Sequence, residues 1–191
     1  MAILKIATIG HPILRSVARP VTREELATDE TQRFIDDLIE TMEDANGAGI
    51  AAPQVFRSQR ICVICVKDNP RYPYKPNFPL TVLVNPELTL LSEERFMNYE
   101  GCLSVPNLRG EAPRSPHVRV RAWDRHGQAL DFEVKGLTAG TFQHECDHLD
   151  GKLFVDRVTD TASLSTWADF ERYHLKGFAE RARAIVAKWG S

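Results

Sequence analysis

The run Phe142-Gln143-His144-Glu145-Cys146-Asp147-His148-Leu149 constrains this chain more than any other. Phe142, Cys146 and Leu149 recur at i, i+4 and i+7, one stripe of an α-helix, so the segment is predicted to be helical from Thr138 to a stop at Gly151, with that stripe in the core. His144 and His148 stand one turn apart on the same helix face, with Cβ atoms ~5–6 Å apart. Both imidazoles can reach one ion at a bond length of ~2.0–2.1 Å. Glu145 then stands beside the ion but not on it, where the H-E-x-x-H spacing places a general base. The pattern alone is also compatible with a surface helix that happens to carry these residues.

A catalytic site of this type uses three protein ligands and leaves one position open, so a further donor must come from elsewhere in the chain. Cys102, in Glu100-Gly101-Cys102-Leu103-Ser104, is the leading candidate, on a loop or strand end because Pro106 follows closely. Cys146 is turned about 200° from His144 on the same helix and faces the core. Cys62 and Cys65 lie in the apolar run Ile61–Val66, which reads as a buried strand. Their side chains then point to opposite faces and pack without sharing an ion. A third segment, Gly47-Ala48-Gly49-Ile50-Ala51-Ala52-Pro53-Gln54, lets backbone approach a ligand and ends in a side-chain amide, but it lacks the G-x-G-x-x-G spacing of a dinucleotide site.

The remaining pattern is that of one soluble domain. The 191 residues, 43% hydrophobic and 26% charged, suffice for a single core. A net charge of −2 gives no general grip on nucleic acid or anionic membrane, and no apolar run approaches the ~20 residues of a bilayer span. Four scattered cysteines suggest reduced thiols, and the chain is placed in the cytoplasm. A capping box at Thr22 and Glu25 opens one predicted amphipathic helix ending near Asn46-Gly47. The Pro-rich stretch 68–79 reads as a surface loop. His117–Trp123 and Leu130–Val134 read as a hairpin whose wet face pairs Arg119 and Arg121 with Asp131 and Glu133. A last helix is expected from about Ser165 to Trp189. Strands and helices do not alternate, so the fold class is α+β.

Together, Gly47–Gln54, Glu100–Ser104 and Gln143–His148 resemble the three signature motifs of the peptide deformylases, in order and spacing, with the likeness running from Ile6 to about Asp156. The resemblance implies small antiparallel sheets packed around a central helix bearing the two histidines, an N-terminal helix, and a single catalytic domain over residues 1–191 with a helical tail from about 163. It implies a metal-dependent hydrolase that removes the N-formyl group from the N-terminal formylmethionine of nascent bacterial chains. Carried over by motif, Cys102, His144 and His148 are the metal ligands and Glu145 the general acid and base. The Gln54 amide and the Leu103 backbone N–H hold the oxyanion. Gly49 pairs with the substrate backbone, Ile50 beside it belongs to the substrate site, and Arg109 matches a position near the peptide exit. An apolar pocket is expected to take the methionine side chain, although Ala48 and Gly140 are smaller than the aliphatic residues usual in the family. The ion is expected to be ferrous iron, with zinc, nickel or cobalt as substitutes. The basic residues Arg172, Lys176, Arg181, Arg183 and Lys188 suggest either ribosome docking by the tail helix or, the reading favoured here, a solvated helix face. Two other functions fit the H-E-x-x-H alone. One is a zincin-like metallopeptidase, whose third ligand would lie downstream, where Asp150, Asp156 and His174 form no such motif. The other is a non-catalytic metal-binding fold, which would need neither Glu145 nor Gln54.

Overall fold

The computed structural model describes residues 2–69 and 73–190. Strands β1 (Gly49–Ala51), β2 (Ile61–Val66), β3 (Phe78–Leu90), β6 (His117–Trp123) and β7 (Ala129–Lys135) form one antiparallel sheet in the order β1-β2-β3-β6-β7. Strands β4 (Phe96–Cys102), β5 (Val105–Arg114) and β8 (Ser165–Thr166) form a second. The helices are α1 (Arg23–Leu26), α2 (Asp29–Asp44), α3 (Gly136–Leu149), α4 (Trp167–Asp169) and α5 (Leu175–Trp189), with a π-helical segment at Phe170–His174 joining the last two. This is the expected α+β arrangement, with the H-E-x-x-H on the central helix α3.

The apolar run of β2 is continuous because both of its faces are covered. Ile61 and Val63 pack with Ile35, Leu38 and Met42 of α2. Cys62 and Ile64 point the other way and pack with Ala139, Phe142 and Leu149 of α3. Cys65 joins the α2 side, so the two thiols of the C-x-x-C do face apart. The Cys62 thiol is pushed up by its hydrogen bond with Cys146 and by burial, as for a packed, unreactive cysteine.

Three expectations change. The N-terminal helix is two helices: the capping box at Thr22 and Glu25 is present, but Thr28 accepts from Thr31 N and begins a second helix, leaving Ala27 between them. Competition from a second good N-cap ends the first helix after four residues. Pro106 does not end regular structure. It is the second residue of β5, exposed at the strand start where a missing N–H is tolerated. The stretch 68–79 lies partly outside the described residues, at 70–72. Its described part is no simple surface loop, since Tyr74 meets Phe178 edge-to-face at 4.9 Å and the Lys75 ammonium donates to the Thr141 hydroxyl on α3 at 2.9 Å. The hairpin β6–β7 is as read, with Arg119 clasping Asp131 through Nε–Oδ1 at 2.6 Å and Nη2–Oδ2 at 2.8 Å. The tail folds back on the body: Phe170 and Phe178 are buried with Tyr99, and Arg181 and Lys188 pair with Glu111 and Glu94.

Candidate metal centre

Two separate pieces of chain meet at one point. Helix α3 presents His144 and His148, and β4 ends at Cys102, where the chain turns through Leu103 and Ser104 into β5. The three ligand atoms all lie within 4.8 Å of one another. Cys102 Sγ is 3.3 Å from His148 Nε2. Cys146 lies on the other side of the helix, beside Cys62, as its phase requires.

The surroundings suit a cation. His144 Nδ1 is 2.8 Å from Glu100 Oε2, which leaves Nε2 to face Cys102 and His148. Although burial acts against it, His144 is pushed well up by its hydrogen bonds with Cys102 and Glu100. A pocket that draws positive charge onto an imidazole in this way offers the same attraction to a metal ion. Burial, and then the charge of His144, hold His148 well down, in the neutral form that ligates. A soft thiolate with two imidazoles is a donor set for late first-row divalent ions. The residues present therefore fit the metal that the sequence implies.

Behind the ligands lies a charge cluster that the sequence did not announce. Arg114 on β5 grips both oxygens of Glu100, through Nε at 2.7 Å and Nη2 at 2.9 Å, and its Nη1 reaches Asp147 Oδ2 at 2.6 Å. Arg157 closes the set on Asp147 Oδ1 at 2.6 Å. Burial opposes the charge on Glu100, but Arg114 and His144 hold its carboxyl far below the usual range. Two members had a visible signal: Glu100 lies two residues before Cys102, and Asp147 lies inside the H-E-x-x-H. Arg114 and Arg157 had none.

Glu145 is buried, and its Oε2 has no hydrogen-bond partner among the described residues. Burial pushes its carboxyl up to about 7. It fits only because Gly49 faces it: a Cβ on Gly49 would lie 2.6 Å from Glu145 Oε1 and 2.7 Å from Cδ. Gln54 is fixed by its own Oε1 accepting from Ala51 N at 2.8 Å, which turns Nε2 toward Cys102 Sγ at 3.5 Å and Ser104 Oγ at 3.1 Å. One cavity borders Gly49, Gln54, Cys102, Leu103, His144 and Glu145.

Two expected substrate residues stand differently. The Ile50 side chain is fully buried in the α2 core cluster, so it meets that cavity with no side-chain surface. Its strand β1 is nevertheless the edge of the five-stranded sheet. Arg109 is also fully buried: its guanidinium donates to Tyr99 O at 2.8 Å and Tyr74 Oη at 3.0 Å and is covered by the rings of Phe170 and Trp167.

No helix among the described residues is long and apolar enough to cross a membrane. The family model for polypeptide deformylases matches residues 3–163. A peptide deformylase 1 of Bordetella pertussis is 45% identical over 159 residues, covering 83% of this chain and 88% of the relative. A peptide deformylase 2 of Nostoc sp. is 41% identical over 169 residues, 88% of this chain and 93% of the relative. A Met-Ala-Ser-bound class I type b peptide deformylase of Acinetobacter baumannii has a TM-score of 0.79 at 40% identity, covering 82% of this chain and 99% of that one. On the match of 3–163, the motifs within it and this fold, the chain belongs to the peptide deformylase family.

Proposed function

We propose that this protein hydrolyses the N-formyl group from the N-terminal formylmethionine of newly made polypeptides, releasing formate. The observation that carries the reading is the convergence of Cys102, His144 and His148 beside a buried Glu145 with an unpartnered oxygen, in a chain of this family. A divalent ion held by the three ligands would supply Lewis-acid polarisation of the formyl carbonyl and acidify the attacking water. Glu145 takes the proton from that water and returns it to the leaving amine, a shuttle that its raised affinity for protons suits. The Gln54 amide and the Leu103 backbone N–H donate to the oxygen on which charge develops. The free edge of β1, at Gly49 and Ile50, receives the peptide backbone as an added strand, and Gly49 keeps room for Glu145.

The native ion is proposed to be ferrous iron, with zinc, nickel or cobalt occupying the same donors, and the site of action the bacterial cytoplasm, where formylated chains are made. For the tail, the pairing of Arg181 and Lys188 with Glu111 and Glu94 favours a helix bound to its own domain over one that docks on the ribosome.

The test is formate release from formyl-Met-Ala-Ser by the iron-loaded protein under anaerobic conditions, beside acetyl-Met-Ala-Ser. Formate from the first and negligible acetate from the second is the expected result. A folded, iron-loaded protein that releases no formate would return the choice to a metallopeptidase or a non-catalytic metal site.

A further inference from the structure

Gly101, Cys102 and Leu103 line two hollows. One is the metal cavity, and the other is a groove of about 540 Å3 whose lining also includes Trp167 and Glu171 of the tail. These two residues lie beyond the match of 3–163, so the likeness to the family assigns them nothing. Among the described residues, Glu171 is the only carboxylate on the groove, and no lysine or arginine lines it.

This part of the tail is held in place at several points. Ser165 and Thr166 pair with Arg109 and Leu108 of β5. Thr166 caps the short helix that follows, accepting from Asp169 N at 3.2 Å, and Trp167 N donates to Asn107 Oδ1 at 3.2 Å. The buried Arg109 guanidinium lies 4.6 Å from the centre of the Trp167 ring. Four residues on, Glu171 Oε1 accepts from Trp167 Nε1 at 2.8 Å. That bond sets an exposed carboxylate against an indole and leaves it with further acceptor capacity. The groove therefore joins the turn that carries Cys102 to an aromatic and anionic wall.

In the deformylase reading the formyl group lies at the ion and the peptide backbone adds to the edge of β1. Side chains of a strand alternate, so the first and third residues of the substrate share a face, about 6.5–7 Å apart. With the first side chain in the metal cavity, the third falls on the same side, where the groove shares the Gly101–Leu103 turn. We propose that the groove receives the third residue of the formylated chain, and that Trp167 and Glu171 of the tail select a basic side chain there. The methylene stem lies on the indole and the cationic head meets the Glu171 carboxylate. An acidic side chain meets a like charge, and a neutral one gains nothing from Glu171. Arg109 opposes the cation from beneath the indole, but its guanidinium is buried and donates to Tyr99 O and Tyr74 Oη, which keeps the preference modest rather than cancelling it. This selection rests on the deformylase reading and concerns the chain beyond formylmethionine.

The experiment compares kcat/KM of the iron-loaded protein for formyl-Met-Ala-Lys-Ala, formyl-Met-Ala-Gln-Ala and formyl-Met-Ala-Glu-Ala, in the wild type, Glu171→Gln and Glu171→Arg. In the wild type at low salt, lysine is expected to exceed glutamine about threefold to fivefold, as an exposed ion pair allows, with glutamate below glutamine and the spread shrinking as salt is added. The difference is expected in KM, since the contact is the same in the ground and transition states. Glu171→Gln keeps an acceptor for Trp167 Nε1 and is expected to bring the lysine-to-glutamine ratio to about one. Glu171→Arg is expected to place glutamate above lysine, an inversion that a local loss of structure does not produce. Glu171 is exposed, so both variants are expected to fold. Wild type in which lysine does not exceed glutamine, or an order that survives Glu171→Arg, overturns the selection and leaves the deformylase reading standing. No formate from any of the three peptides overturns both.

Discussion

Two clusters in this protein use the same partners, an arginine fork against a carboxylate, in opposite surroundings. Arg114 and Glu100 are each 3% exposed at the side chain, whereas Arg119 and Asp131 are 42% and 44% exposed on the wet face of the β6–β7 hairpin. Both are bidentate with comparable distances. The difference is what each charge faces if its partner is lost. Water takes over at Asp131, and the exposed pair contributes at most ~1 kcal/mol. Glu100 has no water to turn to, so loss of Arg114 would leave a buried carboxylate with only His144 and Asn98 beside it, while Asp147 would keep Arg157. The same fork that solvates a hairpin at the surface thus positions His144, a proposed metal ligand, in the interior.

The sharpest way to break this contrast is Arg114→Met. Leaving the buried Glu100 without its arginine is expected to cost about 3–5 kcal/mol in stability by urea denaturation. A cost below 1 kcal/mol would place Arg114 with the surface pairs. Gly49→Ala comes next. Its Cβ would meet three atoms of the Glu145 side chain at once, so Glu145 must move while the fold survives. A displacement of that kind lowers kcat/KM about 10²-fold, measured by formate release with an unchanged circular dichroism spectrum. Glu100→Gln keeps the shape but weakens the hold on His144, and metal affinity by competition with a chelator is expected to fall about 10–100-fold. At the surface, a double-mutant cycle on Arg119→Ala and Asp131→Ala should give under ~1 kcal/mol, diminishing with added salt.

The smallest effect is a titration at the capping box. Hydrogen bonds from Arg19 and from Thr22 N hold the exposed Glu25 down to about 2, from an ordinary value of 4.5. Because the folded value lies below the unfolded one, this contribution is present above about 4.5 and fades as the pH falls through about 2. NMR titration should give a Glu25 midpoint near 2 that rises in Arg19→Ala. A midpoint unchanged by that substitution would remove Arg19 from the account.

What was legible in the sequence follows from the range of the physics. Helix α3, its buried stripe and its two histidines were readable because helical period is a local property, and the alternation of β6 and β7 gave the hairpin and its charge ladder. Cys102 was readable as the thiol that stands with His144 and His148 through the chemistry a catalytic ion needs and the phase that turns Cys146 away. The split between α1 and α2 hid because Thr28 is a second cap inside one amphipathic pattern. The hairpin β4–β5 hid because Pro106 reads as a breaker unless the strand start is known to be at Val105. Arg114, Lys75 and Asn98 were silent because each acquires meaning only from what tertiary contact sets opposite it. The burial of Arg109 beneath Phe170 and Trp167 depends on how the tail, which begins beyond the matched residues 3–163, returns across β5.

In the proposed reaction Glu145 moves the proton while Cys102, His144 and His148 hold the ion. Its most direct test is Glu145→Gln, assayed for formate release from formyl-Met-Ala-Ser with metal content measured on the same sample. The variant is expected to hold about one ion per chain, as in the wild type, with activity reduced by about 10²–10⁴-fold. Wild-type activity in a metal-replete Glu145→Gln protein, or loss of the ion on this substitution with Cys102→Ala retaining it, would contradict it.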